Sequence, residues 1–502
     1  MRCIVKKPVL SRSVVFSIFI ITLFISNQVQ NTSAKISDFT DISVENDIYL
    51  PSVFVDYLPQ TPSIFGVSIT PITDLGGLTE MRSAGAYILR RGPLMWKDVE
   101  PTTPIDGVHT YIWNSPAVQS FETELLNAQS KDMTVVMIVG GAPEWAREDQ
   151  DNDYICAPID KGDLENFADF MVELVKRYSL PPHNVKYFEL YNEPDIDTRI
   201  FSNENPLDNG FGCWGDIDDP AGFFGGGYYA EMLKVVYPEV KAADPNAEVL
   251  VGGLLMDCDP INPPEGKDCT PTKFLEGILE ADGGDYFDGI SFHAYDYFNY
   301  NGVGKYSNKN WGSQWNTTGP VSIYKTRYII DLLSKFGYSP SDKLLLNTES
   351  AIICSEDYPC DETPYSDFEL TKAYYLVQAY TVAKAEGLNA NIWYSAIGWR
   401  NSGLLYPDLT HHNAYDAYVI TRAMLANSHF VQELHMYNDV AQYEFTRASG
   451  RKLWVIWSRD GGSHPITLPS TPTNIVDALG NPVPVSSNLI IDIKPVYIEW
   501  AN

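Results

Sequence analysis

Residues 163–195 read DLENFADFMVELVKRYSLPPHNVKYFELYNEPD: an amphipathic stretch, a short apolar run, then a cluster of polar groups. Within Asp163–Tyr178, Phe167, Phe170, Met171 and Val175 recur at helical spacing and share one face. Tyr187–Tyr191 reads as a short buried strand. The same alternation continues in both directions along the chain. Candidate strands are Ile64–Ile69, Ala86–Arg90, Thr134–Val139, Tyr187–Tyr191, Glu248–Gly252, Gly289–His293, Lys343–Asn347 and Asn391–Tyr394, with helical patterns between them such as Glu369–Glu386. Repeated βα units of this kind predict an α/β fold, a (β/α)8 TIM barrel with long loops. A doubly wound sheet is the competing architecture. Its Gly-rich phosphate fingerprint is missing after the first strand, where IFGVSITPITDLGG lacks the GxGxxG spacing.

After His435 the pattern changes to short strands separated by Gly, Pro, Ser and Asp: Val440–Phe445, Lys452–Trp457, Leu489–Ile493 and Val496–Trp500. These predict a small C-terminal antiparallel β-sandwich. At the other end, Arg2, Lys6, Lys7 and Arg12 precede the apolar run Val14–Ser26, the order of a secretory signal. That run is shorter than the roughly 20 residues a membrane-spanning helix needs. Cleavage after Ala34 removes four positive and no negative charges, taking the net charge from −30 to −34; an uncleaved N-terminal anchor is the alternative. The expected organisation is therefore a signal peptide at 1–34, an N-terminal segment at 35–63, a barrel at 64–430 and a sandwich at 431–502, in a secreted or extracytoplasmic protein. The N-terminal segment reads either as a tail or as a strand added to the sandwich. Cys3 lies in the signal, leaving Cys156, Cys213, Cys258, Cys269, Cys354 and Cys360 for up to three disulfides. Cys258 with Cys269 and Cys354 with Cys360 are near enough to clip loops, which leaves Cys156 for Cys213, though six cysteines formally allow fifteen pairings.

Composition narrows the partners. With 44% hydrophobic and 20% charged residues the chain is globular, and its formal charge of −30 removes the generic attraction to phosphate backbones, so nucleic acid is not an expected partner. Aromatics make up 13%, with 31 Tyr and 11 Trp, which suits a stacking surface for a flat ligand. No CxxC pair or strand-end His cluster accompanies the cysteines, so no metal and no cofactor are expected.

In a barrel, catalytic groups sit where strands end. The fourth strand ends YFELYNEPD, which places Asn192 and Glu193 just beyond Tyr191; the seventh ends LLLNTES, which places Glu349 two residues beyond Asn347. Two facing carboxylates are what hydrolysis of a glycosidic bond requires, one to protonate the leaving oxygen and one to attack the anomeric carbon. On these residues the chain resembles the retaining glycoside hydrolases of clan A, and YNEP (Tyr191–Pro194) is the most specific match. FELYNEPD and FDGISFHAYDYF are similar to the fourth and sixth strands of family 39. The chain departs from that family's pattern at Ser350, where Trp is usual after the nucleophile, and at Arg91-Gly92, where His is usual after the second-strand Arg.

The resemblance implies that Glu193 is the general acid and then base, and Glu349 the nucleophile. Arg90 is then the cation that keeps Glu349 ionised, Tyr295 a donor to it, and Asn192 a partner for the sugar 2-hydroxyl. Arg90 and Arg91 compete for one inward position. His293 and Tyr295 fall on the same side of strand six, where His293 reads as a sugar contact or as rim packing. Trp145, Trp393 and Trp399 are candidate sugar platforms, with core packing as their ordinary alternative. Trp311 and Trp315 lie in a long loop after strand six that is expected to wall a groove. A carboxyl separation of about 5–5.5 Å would mark a retaining enzyme and about 6.5–9.5 Å an inverting one. The competing function is a noncatalytic carbohydrate-binding or cell-surface protein on the same barrel. A metal-dependent barrel hydrolase lacks the strand-end His pair it would need.

Overall fold

The computed structural model describes residues 63–152, 154–197, 213–298, 306–307, 310–354 and 360–501. The expected signal peptide and the N-terminal segment up to residue 62 lie outside the described residues. Eight parallel strands close on themselves: β1 Phe65–Ser68, β2 Ile88–Met95, β3 Thr134–Gly140, β4 Tyr187–Asn192, β5 Glu248–Leu254, β6 Gly289–Phe298, β7 Leu344–Ile353 and β8 Ala390–Trp393. Each pairs with the next, β5 with β6 and β8 with β1 included, so the barrel has no open edge. The helices that follow the strands are α1 Leu78–Ser83, α2 Pro116–Ser130, α3 Leu164–Tyr178, α4 Gly226–Ala243, α5 Phe274–Glu280, α6 Ser322–Lys335, α7 Asp367–Ala385 and α8 Asn413–Leu425.

Local chemistry accounts for these elements. Strands such as TVVMIVG are apolar throughout because both faces of a parallel barrel strand are covered. The Ser115 side chain accepts from Val118 N–H ahead of Pro116, and Ser366 accepts from Glu369 N–H, which caps α2 and α7 at their first turns. In α3, Phe167, Phe170, Met171 and Val175 form the buried face, as their spacing predicts. The second strand runs past Arg90 to Met95, because the Gly92-Pro93 step sits in a register shift between Arg91 and Leu94, where Pro owes no ladder hydrogen bond.

The barrel interior is layered. Ile88, Val136, Leu250, Leu346, Ala390 and Ile392 make an apolar floor. Two residues further along β2 and β4 the period-two alternation brings Arg90 and Glu189 to the same interior. A one-residue bulge follows on β7: Phe292 faces Asn347, but His293 faces Glu349, so Thr348 is the extra residue that lifts Glu349 level with His293.

The C-terminal strands are β9 Ser428–Glu433, β10 Val440–Arg447, β11 Lys452–Ser458, β12 His464–Thr467, β13 Asn474–Asp477, β14 Asn488–Ile491 and β15 Val496–Trp500. They form a five-stranded antiparallel sheet in the order β9-β10-β11-β15-β13 and a two-stranded sheet of β12 with β14. Three strands escape the sequence pattern. SHFVQE is half polar, HPIT contains Pro, and NIVD has only four residues. Trp454, Ile456, Ile475, Ile498 and Trp500 fill the space between the two sheets. The opposite face of the larger sheet, with Tyr443, Val455, Trp457 and Tyr497, belongs to the same continuous core as the barrel and its helices. The Tyr497 hydroxyl donates to Thr421 Oγ1 of α8 at 2.8 Å, and Gln378 of α7 donates to the Ile493 carbonyl at 3.2 Å. Helix α7 is thus covered by the barrel on one side and the sheet on the other, so it is buried almost all round and shows no amphipathic face.

Disulfides join Cys156 to Cys213, Cys258 to Cys269 and Cys354 to Cys360. Among the described residues, no helix is long and apolar enough to cross a membrane. Since barrel and sheet share a core, the described residues are expected to unfold in one transition. Tyr497→Phe, which deletes the buried bond to α8, should cost about 1 kcal/mol in a urea titration followed by both circular dichroism and tryptophan fluorescence. Two separable transitions, with only the later part of the chain affected, would contradict the shared core.

Candidate active site

The mouth of the barrel is organised by Arg90, whose side chain is 4% exposed. Its guanidinium donates to Glu189 Oε1, to Glu349 Oε1 and, at 2.6 Å, to Asn192 Oδ1, which ties β2 to β4 and β7. Burial opposes its charge, but Glu189 and Glu349 more than offset that, and its pKa is raised. Arg91, one residue on, points the other way and pairs with Glu124 of α2 at 2.7 Å.

Glu349 is held twice, by Arg90 on Oε1 and by the Tyr295 hydroxyl, which donates to Oε2. Glu193 has different surroundings. Its backbone N–H donates to the Gly253 carbonyl at 2.9 Å, and its Oε1 lies 2.8 Å from His293 Nδ1. Desolvation pushes its carboxyl up to about 7, against the lowering effect of Arg90 and Lys325. Asn192 and Glu193 reach the mouth as neighbours because the chain twists at the end of β4: Tyr191 and Glu193 both have positive φ, 68° and 46°. Such strain persists only where packing over-determines it, and the outward Tyr191 ring is clasped between Phe167 and Trp214, with centroids 6.2 and 5.3 Å away.

His293 is fully buried, and burial takes its pKa down to about 4, so it is neutral at physiological pH. Its Nε2 has no hydrogen-bond partner among the described residues. An imidazolium would therefore bury an unanswered cationic donor. Gly253 makes room for it: a Cβ there would lie 2.3 Å from His293 Nε2 and 3.0 Å from an Arg90 nitrogen. One ligand atom from each of Glu193, His293 and Glu349 lies within 4.8 Å of the other two.

The aromatic candidates separate. Trp399 is 45% exposed and stands edge-on to Tyr295 and Tyr394, with centroids 5.9 and 6.1 Å away, beside the Glu349 hydroxyl donor. Trp393 requires correction as a sugar platform: it is fully buried, and its Nε1 donates to the Ser402 carbonyl at 2.8 Å, because the side chain points outward into the packing around α7. Trp145 is half-buried, packs edge-on against Trp96 at 5.2 Å and donates to the Glu100 carbonyl. Trp311 and Trp315 are likewise core residues, 2% and 3% exposed, rather than groove walls.

Sequence reading passed over Glu189, Gly253, Asp195 and Lys325. Glu189 left a signal, since an acid in the middle of an apolar barrel strand must be paired inside. Asp195 accepts from Leu255 and Met256 N–H at 2.8 and 2.9 Å, which clamps the loop after β4 to the end of β5, and burial raises its pKa to about 7.

No protein-family model matches the chain, and no curated protein matches its sequence. Solved structures do. A family 39 glycoside hydrolase from the gut symbiont Bacteroides cellulosilyticus WH2 is 20% identical over 88% of this chain and 81% of that one, with a TM-score of 0.60. The catalytic domain of the GH30 xylanase C from Talaromyces cellulolyticus is 15% identical over 88% of this chain and 98% of that one, with a TM-score of 0.57. A GH39 β-xylosidase from Caulobacter crescentus is 15% identical over 88% of this chain and 97% of that one, with a TM-score of 0.50. The chain has the (β/α)8 fold of these clan A enzymes.

The raised carboxyl of Glu193 has a thermodynamic consequence. Between about pH 4.5 and 7 the folded protein keeps a proton there that the unfolded chain has lost, so stability falls as pH rises through that window. Glu193→Gln does not titrate. Its Tm advantage over the unsubstituted protein should therefore grow between pH 5 and pH 8, by on the order of a few degrees, in calorimetry at both pH values. A pH-independent difference would show that the carboxyl is not held protonated.

Proposed function

We propose that the chain is an exported O-glycoside hydrolase that cleaves β-linked oligo- or polysaccharides by a retaining double displacement. The observation that carries this reading is the meeting of Glu193 and Glu349 at the ends of β4 and β7, where one carboxyl oxygen of each lies within 4.8 Å of the other; so close an approach favours a nucleophile and an acid acting directly on one bond. Their environments differ in the sense the chemistry needs. Glu193, desolvated and paired with a neutral imidazole, holds a proton near neutral pH; Glu349 is oriented by a guanidinium and a phenol.

In this reading the Glu193 carboxyl gives its proton to the glycosidic oxygen as Glu349 attacks the anomeric carbon. The C–O bond breaks, the alcohol leaves and an ester links the sugar to Glu349. Glu193, now a carboxylate, takes a proton from water, which attacks the same carbon and frees Glu349. Because Arg90 occupies Asn192 Oδ1, the Asn192 amide N–H groups are left to donate to the sugar 2-hydroxyl. Trp399 offers its exposed ring to a sugar face. The xylanase and β-xylosidase activities named for the similar structures make xylan-type chains the first substrates to test. The basic N-terminus with its apolar run, together with three disulfides, supports export.

Glu349→Ala should lower turnover of aryl β-glycosides by about three orders of magnitude or more, and azide should restore it with formation of the inverted glycosyl azide. Glu193→Ala should lose activity mainly on substrates with poor leaving groups, and the alkaline limb of the wild-type profile should fall near pH 7, where Glu193 gives up its proton. Wild-type activity in Glu349→Ala would end the mechanism. A folded wild-type chain that binds glycans and hydrolyses none would favour the noncatalytic reading.

A further inference from the structure

Lys325 stands on α6, outside the barrel, yet its side chain is 4% exposed. Its ammonium donates to the carbonyls of Leu255 and His293, each at 2.7 Å. Leu255 follows β5, and His293 is the β6 residue whose ring meets Glu193. The lysine therefore pins the backbone on either side of the group that positions Glu193. Two neutral carbonyls hold it, and among the described residues no carboxylate lies within ion-pair distance of it.

The acids that feel this charge are Asp257, Asp195, Asp296 and Glu193. Three have donors of their own. Asp257 pairs with Lys267 at 2.7 Å, Asp195 accepts from two backbone N–H groups, and Asp296 accepts from Val321 N–H and from the Tyr375 hydroxyl at 2.9 and 2.8 Å. Glu193 has the neutral His293. Of the other groups around Glu193, Arg90 is divided between Glu189 and Glu349. Tyr295 and Tyr394 are phenols whose pKa values burial raises further, so they bring no charge. Asp257 and Glu189 act against ionisation of Glu193. Arg90 and Lys325 are the two cations that act for it, and of the two only Lys325 is not ion-paired among the described residues.

We propose that Lys325 is a positioning residue for the acid/base: from behind β6 it fixes the backbone of His293, and its positive field limits how tightly the Glu193 carboxyl holds its proton. The inference rests on the reading of Glu193 as acid/base. Burial lowers the ammonium's own pKa to about 8, so its field fades above that pH.

The test uses the full chain with Lys325→Gln, which can still donate to a carbonyl but carries no charge, and Lys325→Arg, which keeps the charge. The first readout is the pH dependence of kcat/KM on an aryl β-glycoside with a poor leaving group. The second needs no substrate: the carboxyl 13C titration of Glu193 in Glu-labelled protein, assigned by its loss in Glu193→Gln. Lys325→Gln should move both the alkaline limb and the 13C midpoint up by about one pH unit, and Lys325→Arg should restore them towards wild type. A lysine that only braced the fold would lower Tm and leave both midpoints in place, and that result overturns the proposal. Should Lys325→Gln fail to fold, Lys325→Met keeps the unbranched stem without the charge and should move both midpoints up in the same way; unmoved midpoints there also overturn it. Full activity in Glu193→Gln would instead sink the acid/base reading, while the 13C titration would still report the action of Lys325.

Discussion

The structure turns on one buried guanidinium. Arg90 sits above the apolar floor of the barrel and is bonded to carboxylates on β4 and β7 and to the Asn192 amide. Water is scarce there, so the interaction is strong in both directions. With its partners in place Arg90 is a permanent cation that binds three strands together; without it, Glu189 and Glu349 would face each other as uncompensated buried charges, a loss of about 3–5 kcal/mol for such a pair. The choice of residue follows. A guanidinium presents five donors in a rigid planar fork and so holds three acceptors in a set geometry, whereas an ammonium is a compact point charge on a flexible stem.

That constraint divides the two carboxyls at the mouth. Glu349 takes the charge and geometry that Arg90 and Tyr295 supply. Glu193, one residue past the Asn192 that Arg90 also grips, is left with a buried imidazole that burial itself keeps neutral. Desolvation is then the largest influence on it and drives it towards the protonated form. The two acids differ because Arg90 is bonded to Glu349 but reaches Glu193 only through space, as Lys325 does. Gly253 is the steric counterpart of this arrangement, since a side chain there would displace both His293 and Arg90.

The barrel was legible because its strands are covered on both faces and so read as apolar runs at regular intervals, with Asn192, Glu193 and Glu349 at the ends of two of them. The inward turn of Arg90 rather than Arg91 was also within reach of a period-two reading from Ile88. The level at which Glu349 meets His293 was not, because it depends on the bulge at Thr348, which leaves no mark in LLLNTES. Trp393 shows the same limit in reverse. An indole at a strand end near the mouth has the composition of a platform, and only the packing against α7 reveals that it faces away. Glu189 was visible as an anomaly, an acid inside FELY, whose meaning required the partner on β2.

Helix α7 links the C-terminal sheet to the mouth. Its outer side meets the sheet through Gln378, while near its start Lys372 donates to the carbonyls of Asn401 and Gly403 at 3.0 and 2.8 Å. Those carbonyls belong to the turn that carries Trp399, and Arg400 in the same turn donates to the Cys354 carbonyl at 2.6 Å, beside the disulfide to Cys360. Lys372 is itself paired with Glu369, whose other oxygen lies 3.0 Å from His412, and all three are buried. Removing one member of a buried ion pair of this kind would leave an uncompensated buried charge, so the three groups hold one another in place. The sheet therefore does more than extend the chain: it completes the cover of the helix whose Lys372 holds the turn that carries Trp399.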